Sequence, residues 1–344
     1  MRVAIASVQV PFIRGGGESH SEGLASALRS RGLETELVTM PFRFSPALDV
    51  FRSMNSWSTQ DFDQLACGEV DRVICLKFPT FYLKHHSKVV WLMHQHRAVY
   101  ELFNTQYGEQ QSDPNAVLLH EEVVRRDTES LRSIPVFANS RRVSERLRNY
   151  NGVPSMPLYH PPPNAERYFG GDQLPYIFAP SRLEALKRHE LLLRAMPSID
   201  KPVMAIFVGE GGVRAHLESL ADELHLRDRV KFLGFVSSED MIALYANCLG
   251  VFFGPYDEDY GYVTLEAMLS EKPVITCSDS GGPLEFISHQ EVGYVVEPTP
   301  EAVAVAVNGF ACKRGAARDM GRAARSKYQS LGISWDRVVD ALVG

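Results

Sequence analysis

The feature that most restricts the fold of this chain is a strand-and-helix alternation that breaks once, at a proline- and glycine-rich stretch, and then starts again. RVAIASVQV reads as a buried strand, Gly15, Gly16 and Gly17 as a loop, Glu18 to Arg31 as a helix stopped by Gly32, and ETELVTM as the next strand. That order is the opening of a Rossmann-like half with a parallel sheet. DRVICLKFP, KVVWLMH and IPVFANS continue it, with helical stretches such as EEVVRRDTESLRS and RVSERLRNY between them. After MPLYHPPPNAERYFGGDQLP the pattern resumes with YIFAPSR, MAIFVGEGG, RVKFLGFV, GVFFGPY, KPVITCS and GYVVEP. The fold class expected is therefore α/β: two wound sheets joined by a linker near 160–175, with domains at 1–165 and 166–330 and a closing segment at 331–344.

Length and composition fit two cores. The chain has 344 residues, 45% of them apolar, which exceeds the usual size of one domain. Its net charge is −6 and neither half is strongly basic, which argues against a nucleic-acid partner. Cys67, Cys75, Cys248, Cys277 and Cys312 are odd in number and scattered, so they read as core thiols of a reducing compartment rather than a disulfide framework or zinc site. MRVAIASVQVPF lacks the sustained apolar core and cleavage site of an export signal, and no run approaches the roughly 20 apolar residues that span a bilayer. A cytoplasmic protein is expected, with peripheral membrane contact allowed.

The chemistry concentrates in PYDEDYGYVTLEAMLSEKPVITC, where an acidic, glycine-containing loop runs into an apolar helix and a β-branched strand. Gly261 permits a tight turn, Thr264 and Glu266 suit a first helical turn, and the free N–H groups of that turn suit a phosphate. Glu258 precedes the turn by a few residues, and a carboxylate on each side of a phosphate site can accept hydroxyls from both ends of a sugar nucleotide. Asp257 and Asp259 also form an Asp-x-Asp that suits a divalent cation. Against the metal, SRLEALKRHELLLRAM supplies Arg182 and Lys187 just after the strand YIFAP, and two fixed cations neutralise a leaving diphosphate without one. The alternative is that Lys187, Arg188 and Arg194 form a solvated helix face, a reading that suits Arg194 and stays open for Arg188.

This stretch resembles the glycosyltransferase family 4 group of retaining, nucleotide-sugar-dependent transferases, with Glu258 and Glu266 matching its E-x7-E signature. PFIRGGGESH, VVWLMHQH, VFANSRRVSERL, FVGEGG, VKFLGFVSSEDMIALYANC and SGGPLEFI follow in the family's order. The closing ISWDRVVDALVG resembles the family's last helix, which returns to the first domain. The resemblance implies the GT-B type: two facing Rossmann-like domains with a cleft between them, the first holding the acceptor and the second the donor.

The site implied by the resemblance has Glu258 on the donor sugar, Glu266 on the nucleotide ribose, and Arg182 and Lys187 on the diphosphate. Gly261 and the amides of Tyr262 and Val263 add phosphate contacts, while Gly16 and Gly209 let backbone approach the ligand. Leu233, with Phe232 and Gly234, lies where the base would be held. His94 at a strand's end matches the family's histidine near the sugar, with His96 as its alternative. The implied activity is retaining, metal-independent, hexosyl-type transfer from a UDP- or GDP-sugar to a hydroxyl of a glycan, lipid-linked or small acceptor, without a cofactor, in polysaccharide, glycolipid or glycoside synthesis. Front-face retention lets the donor's phosphate take the acceptor proton. A GT-B-type phosphorylase and a catalytically silent sugar-nucleotide or glycan-binding subunit stand as alternatives. Met40 to Asp63, with Phe42, Phe44, Phe51 and Trp57, shows no clear strand pattern and reads as a long loop with packing aromatics.

Overall fold

The computed structural model describes residues 1–65, 68–200 and 202–344, so the expectation for Cys67 lies outside the described residues. The chain separates into two compact units, one of Met1–His160 with Ser334–Gly344 and the other of Pro161–Ile333.

The first unit contains β1 (Arg2–Gln9), α1 (Gly16–Ser30), β2 (Glu34–Pro41), α2 (Ala47–Ser58), β3 (Arg72–Cys75), β4 (Lys88–Leu92), α3 (Pro114–Leu131), β5 (Val136–Ala138), α4 (Arg141–Asn151) and β6 (Met156–Pro157). Its sheet runs β2-β1-β3-β4-β5-β6, and every pair is parallel. Parallel strands buried on both faces should be apolar throughout, and Val3 to Ala6, Val73 to Cys75 and Val89 to Leu92 are all buried.

The second unit contains β7 (Tyr176–Pro180), α5 (His189–Ala195), β8 (Met204–Val208), α6 (Arg214–Glu223), β9 (Val230–Phe232), α7 (Ser238–Asn247), β10 (Gly250–Phe252), α8 (Tyr262–Leu269), β11 (Val274–Cys277), β12 (Gly293–Val296), α9 (Pro300–Cys312) and α10 (Arg314–Ser330). Its sheet runs β12-β11-β10-β7-β8-β9, again wholly parallel. The last helix, α11 (Trp335–Val343), belongs to the first unit: Val338, Val339 and Leu342 join Leu24 and Leu28 of α1 in one buried cluster. Gly23 of α1 is where the two helices meet, since any Cβ there would overlap the Trp335 ring.

Three expectations need correcting. The stretch after Met40 is not a long loop: β2 extends to Pro41 and residues 47–58 form α2, which buries Val50, Met54 and Trp57 while Phe44 stays exposed. Cys75, Cys248 and Cys277 are buried, but Cys312 at the end of α9 is exposed and is not a core thiol. Glu266 lies beyond the first turn of α8, because that helix begins at Tyr262. Among the described residues no helix is long and apolar enough to cross a membrane.

Candidate functional site

In the second sheet β7 and β10 are neighbours, and the chain leaves them toward opposite edges, β7 toward β8 and β9, β10 toward β11 and β12. Loops at the carboxyl ends of two such strands splay apart and leave a crevice, the usual ligand position of an open α/β sheet. The segment after β7 carries Arg182 and Lys187, and the segment after β10 carries Glu258. Lys187 ends a short 3-10 turn, and its Nζ donates to Glu258 Oε2 at 2.6 Å, with the two side chains 15% and 18% exposed. The ammonium also stands 5.4 Å from the centre of the Phe253 ring. Arg182 lies in the same segment but is exposed and has no side-chain partner among the described residues.

Arg188, left open by the sequence, is a clamp. It adopts a left-handed backbone, donates to both Asp279 carboxylate oxygens at 2.8 and 2.5 Å, and donates to the carbonyls of Gly254 and Pro255 at 2.8 Å each. A planar guanidinium can make all four bonds at once, which an ammonium cannot. Arg194 is exposed as expected.

Glu258 is held by backbone. The N–H groups of Asp257 and Glu258 donate to the carbonyls of Asp279 and Ser280 at 2.9 Å, and Gly282 N–H donates to the Glu258 carbonyl at 2.8 Å. Gly281 has a left-handed φ of 71°, and a Cβ there would lie 2.6 Å from the Glu258 carbonyl oxygen; one on Gly282 would lie 2.7 Å from that of Asp259. The two glycines therefore allow a backbone approach that no other residue permits. Gly261, with φ of 84°, turns the chain into α8 where a Cβ would press on Phe253 at 2.9 Å. Tyr262 and Val263 form the first turn that follows.

Glu266, one turn further on, accepts a hydrogen bond at Oε2 from the buried Tyr245 hydroxyl at 2.6 Å, and Tyr168 donates to it as well. Burial pushes its carboxyl up to about 7, against the two tyrosine donors. It is thus neither a capping acid nor an exposed one. At the ends of β8 and β9, Gly209 N–H donates to the Gly234 carbonyl at 2.9 Å, and Leu233, 42% exposed, bonds back to Phe207. Gly209 has φ of 126°, and a Cβ would overlap the Ser181 carbonyl, so this glycine brings the β8 loop onto the Arg182 segment. Phe235, 84% exposed beside Leu233, was not singled out from sequence, although an apolar residue following a strand-end glycine is a legible signal.

The first sheet repeats the arrangement where β1 and β3 diverge. Glu18 in the first turn of α1 accepts from Gly15 N–H at 2.9 Å through Oε2 and from Lys77 Nζ at 3.2 Å through Oε1. Lys77 follows β3 and is buried, and Gly17 leaves room for it, because a Cβ there would overlap the ammonium. Sequence reading missed this lysine, though a cation closing the apolar run VICL is the available signal. Gly16 is exposed at the helix start. His94, past the end of β4, is partly exposed, with Nδ1 against the Gln95 carbonyl at 2.8 Å. His96 is buried, its ring stacked 5.3 Å from Phe78, and burial pushes its pKa down to about 4. Of the two, His94 is the one that solvent reaches.

Beside Gln95, the fully buried Asp127 accepts from the hydroxyls of Tyr82 at 2.5 Å and Tyr100 at 2.8 Å and from Gln95 Nε2 at 3.3 Å. Burial outweighs these donors and pushes its carboxyl up to about 7. The group of three potential metal-binding side chains among the described residues is Asp63, His85 and His86 in the first unit, with ligand atoms within 4.8 Å of one another. Asp257 and Asp259 are not in such a group.

The model of the family described as glycosyl transferases group 1 matches residues 167–327. An uncharacterized glycosyltransferase of Methanocaldococcus jannaschii is 38% identical over 130 residues, 37% of this chain and 33% of that protein. The alpha-1,3/1,6-mannosyltransferase ALG2 of Mus musculus is 36% identical over 126 residues, 37% of this chain and 30% of that protein. The similarity thus spans about a third of each of these relatives. Among solved structures, sucrose-phosphate synthase from Thermosynechococcus elongatus superimposes with a TM-score of 0.80 at 18% identity, covering 99% of this chain and 96% of that one. The fold is of the GT-B class with two Rossmann-like domains, and the chain is related to glycosyltransferases of that fold.

Proposed function

We propose that this chain is a retaining glycosyltransferase of family 4 that moves a sugar from a nucleoside-diphosphate sugar to an acceptor hydroxyl without a metal. The observation that carries this reading is the Lys187–Glu258 contact at the diverging ends of β7 and β10, inside the stretch that matches group 1 glycosyl transferases. Without donor, the half-buried ammonium is neutralised by the carboxylate. A diphosphate offers Lys187 more negative charge than Glu258 does, and charge-assisted bonds to it are strong in a partly desolvated site. Arg182, with no side-chain partner among the described residues, adds a planar donor to the same phosphates. Glu258, released, accepts hydroxyls of the donor sugar.

Glu266 accepts the ribose hydroxyls, Tyr262 and Val263 donate amides to phosphate, Gly209 brings backbone close, and Leu233 with Phe235 covers the base. The resemblance assigns Gly16 and His94 of the first unit to ligand contact. The acceptor oxygen attacks the anomeric carbon on the face that the diphosphate leaves. The bond from carbon to phosphate oxygen breaks as the new glycosidic bond forms, and the acceptor proton passes to that phosphate oxygen. No protein nucleophile is required. Mannosyl transfer is named for the ALG2 relative and dependence on GDP-mannose for a Mycobacterium tuberculosis relative, so GDP-mannose heads the donor panel, with UDP-sugars beside it.

The test is nucleoside-diphosphate release from that panel, with the anomeric configuration of the product read by NMR. Retention is expected, and Lys187→Ala should lower turnover roughly 10²–10³-fold, the usual loss for one charge-stabilising donor. Inversion, or turnover that requires free phosphate, would refute the reading; a folded protein that binds donors but turns none over would leave only the binding half.

A further inference from the structure

At the opposite end of the second sheet's strands, where they begin, lies a separate pocket of about 270 Å³. Its walls come from the residues before β7, from the turn between α8 and β11, and from α10. Helix α8 has eight residues, so this pocket is roughly 12 Å along that helix from the Gly261 end. The walls are fixed. Gly171 and Leu174 N–H groups donate to the Ala246 and Asn247 carbonyls at 3.0 and 2.9 Å, and Arg325 donates to the Leu269 carbonyl at 2.8 Å. Gly321 brings α10 onto the turn, since a Cβ there would overlap the Glu271 carbonyl.

The lining is polar and holds no aromatic side chain. Arg318 and Arg322 stand one helical turn apart on α10, both exposed and both without a side-chain partner among the described residues. Two guanidinium groups without side-chain partners among the described residues concentrate positive charge on one wall of a chain with net charge −6. The Lys272 side chain is buried in the wall with Nζ donating to the Asp172 carbonyl at 2.6 Å, so it adds positive potential without a carboxylate bond of its own. Opposite charges are present too: Asp172 and Glu271 line the same space, with the Gln173 amide. A bare anion would meet two carboxylates there, whereas a ligand that carries hydroxyls beside its phosphate gives them something to accept. The volume falls just below the roughly 300–1,000 Å³ of pockets for drug-sized ligands, which limits the occupant to about one sugar ring. Without apolar or aromatic walls, a nucleobase or acyl chain has nothing to pack on.

We propose that this pocket binds a small phosphorylated polyol, its phosphate clamped by Arg318 and Arg322 and its hydroxyls accepted by Asp172 and Glu271. The assignment does not depend on the reaction at the Lys187 end. The same chemistry occurs in free sugar phosphates and in an inositol phospholipid headgroup, and separate arms distinguish them.

Glucose 6-phosphate, ribose 5-phosphate and inositol 1-phosphate are titrated by calorimetry into the full chain, with inorganic phosphate and glucose as controls. Flotation with phosphatidylinositol vesicles in a phosphatidylcholine background forms the lipid arm. Saturable binding of at least one phosphorylated polyol, at least tenfold tighter than inorganic phosphate, is expected. It should weaken at least tenfold in Arg318→Ala/Arg322→Ala and survive in Lys187→Ala. Both arginines are exposed, so a matching melting temperature will show that the double variant is folded. In Asp172→Asn/Glu271→Gln the preference over inorganic phosphate should shrink while phosphate binding persists. Binding to soluble ligands alone identifies a free metabolite, and flotation lost with the arginines identifies the headgroup. No saturable binding in either arm, binding that survives arginine removal but not Lys187→Ala, or inorganic phosphate matching the polyol phosphates would overturn the proposal.

Discussion

If Glu266 accepts ribose hydroxyls as proposed, donor affinity should depend on pH through this one side chain. Its carboxyl sits near 7 because burial disfavours the charged form more than Tyr245 and Tyr168 favour it. A carboxylate near 7 is about nine-tenths ionised at pH 8, half at pH 7 and a tenth at pH 6. Where only the ionised form is competent, the apparent dissociation constant rises in inverse proportion to that fraction, about tenfold from pH 8 to pH 6. A ceiling comes from the protonated form, which still bonds a hydroxyl: hydrogen bonds to charged groups are worth about 1.5–3 kcal/mol against about 0.5–1.5 for neutral ones. The expected fall is therefore roughly five- to tenfold. Calorimetry with an intact nucleotide sugar is the assay, because its diphosphate has no terminal oxygen that titrates in this range. Glu266→Gln should bind about as weakly at pH 8 as the parent does at pH 6, and show no slope. The sign is opposite for the free protein: a carboxyl raised in the folded state gives stability that is complete below its unfolded value and lost as pH rises through about 7. A parent affinity that is flat from pH 6 to 8, or a slope that persists in Glu266→Gln, refutes the reasoning.

Three further outcomes are expected. Asp127, raised from 3.8 to about 7, should make folding stability fall as pH rises from 4 to 8, by an amount on the order of 4 kcal/mol at most, and chemical denaturation of Asp127→Asn should lack that component; equal slopes in parent and variant would refute it. Gly281→Ala places a methyl against the Glu258 backbone at φ 71° and ψ −121°, a region nearly reserved for glycine and costing about 1–3 kcal/mol, so donor turnover should drop at least tenfold in protein that remains folded by circular dichroism; unchanged turnover would show that the loop pairing does not set the position of Glu258. Transfer should persist in excess chelator because Lys187 and Arg182 supply the charge, and activity abolished by chelator and restored by manganese would return the Asp257–Asp259 pair to the site.

Most strands were legible because parallel strands buried on both faces leave uninterrupted apolar runs, as in VAIA and VVWL; their order within each sheet, and the short β6, were not. Helix α2 was not. Its buried Val50, Met54 and Trp57 do keep helical spacing, but Pro41 and Pro46, with Phe42 and Phe44 between them, mask the period, and Phe44 faces solvent. At the candidate site, Arg182, Lys187, Glu258 and Glu266 were legible one by one, from position after a strand or a glycine. What joins them was not. Arg188 reaches Asp279 across 91 residues, and Lys77 reaches Glu18 across 59. A charged residue looks the same in sequence whether its partner is water or a distant carboxylate, so the role of Arg188 stayed open until the fold supplied the answer. The position of Glu266 was misread for a local reason: the positive φ of Gly261 starts α8 directly after it, which moves the glutamate into the second turn beside Tyr245.

Both sheets place a lysine–glutamate pair where two adjacent strands send the chain in opposite directions, Lys77–Glu18 after β3 and β1, Lys187–Glu258 after β7 and β10. The topology accounts for the place. Elsewhere along the sheet a loop from one strand end covers its neighbour, but at the reversal both loops turn away and leave polar backbone that needs a partner. An ion pair fills that gap without ligand and remains exchangeable, unlike an apolar plug. The supports differ between the two. Glu18 spends its second oxygen on the Gly15 amide and closes its own helix end, so withdrawing Lys77 would leave that carboxylate still engaged. Glu258 is fixed through its backbone by Asp279, Ser280 and Gly282, which leaves its carboxylate free to change partners without moving the chain. That difference makes the second pair the better suited to exchange its internal bond for one to a bound diphosphate and sugar.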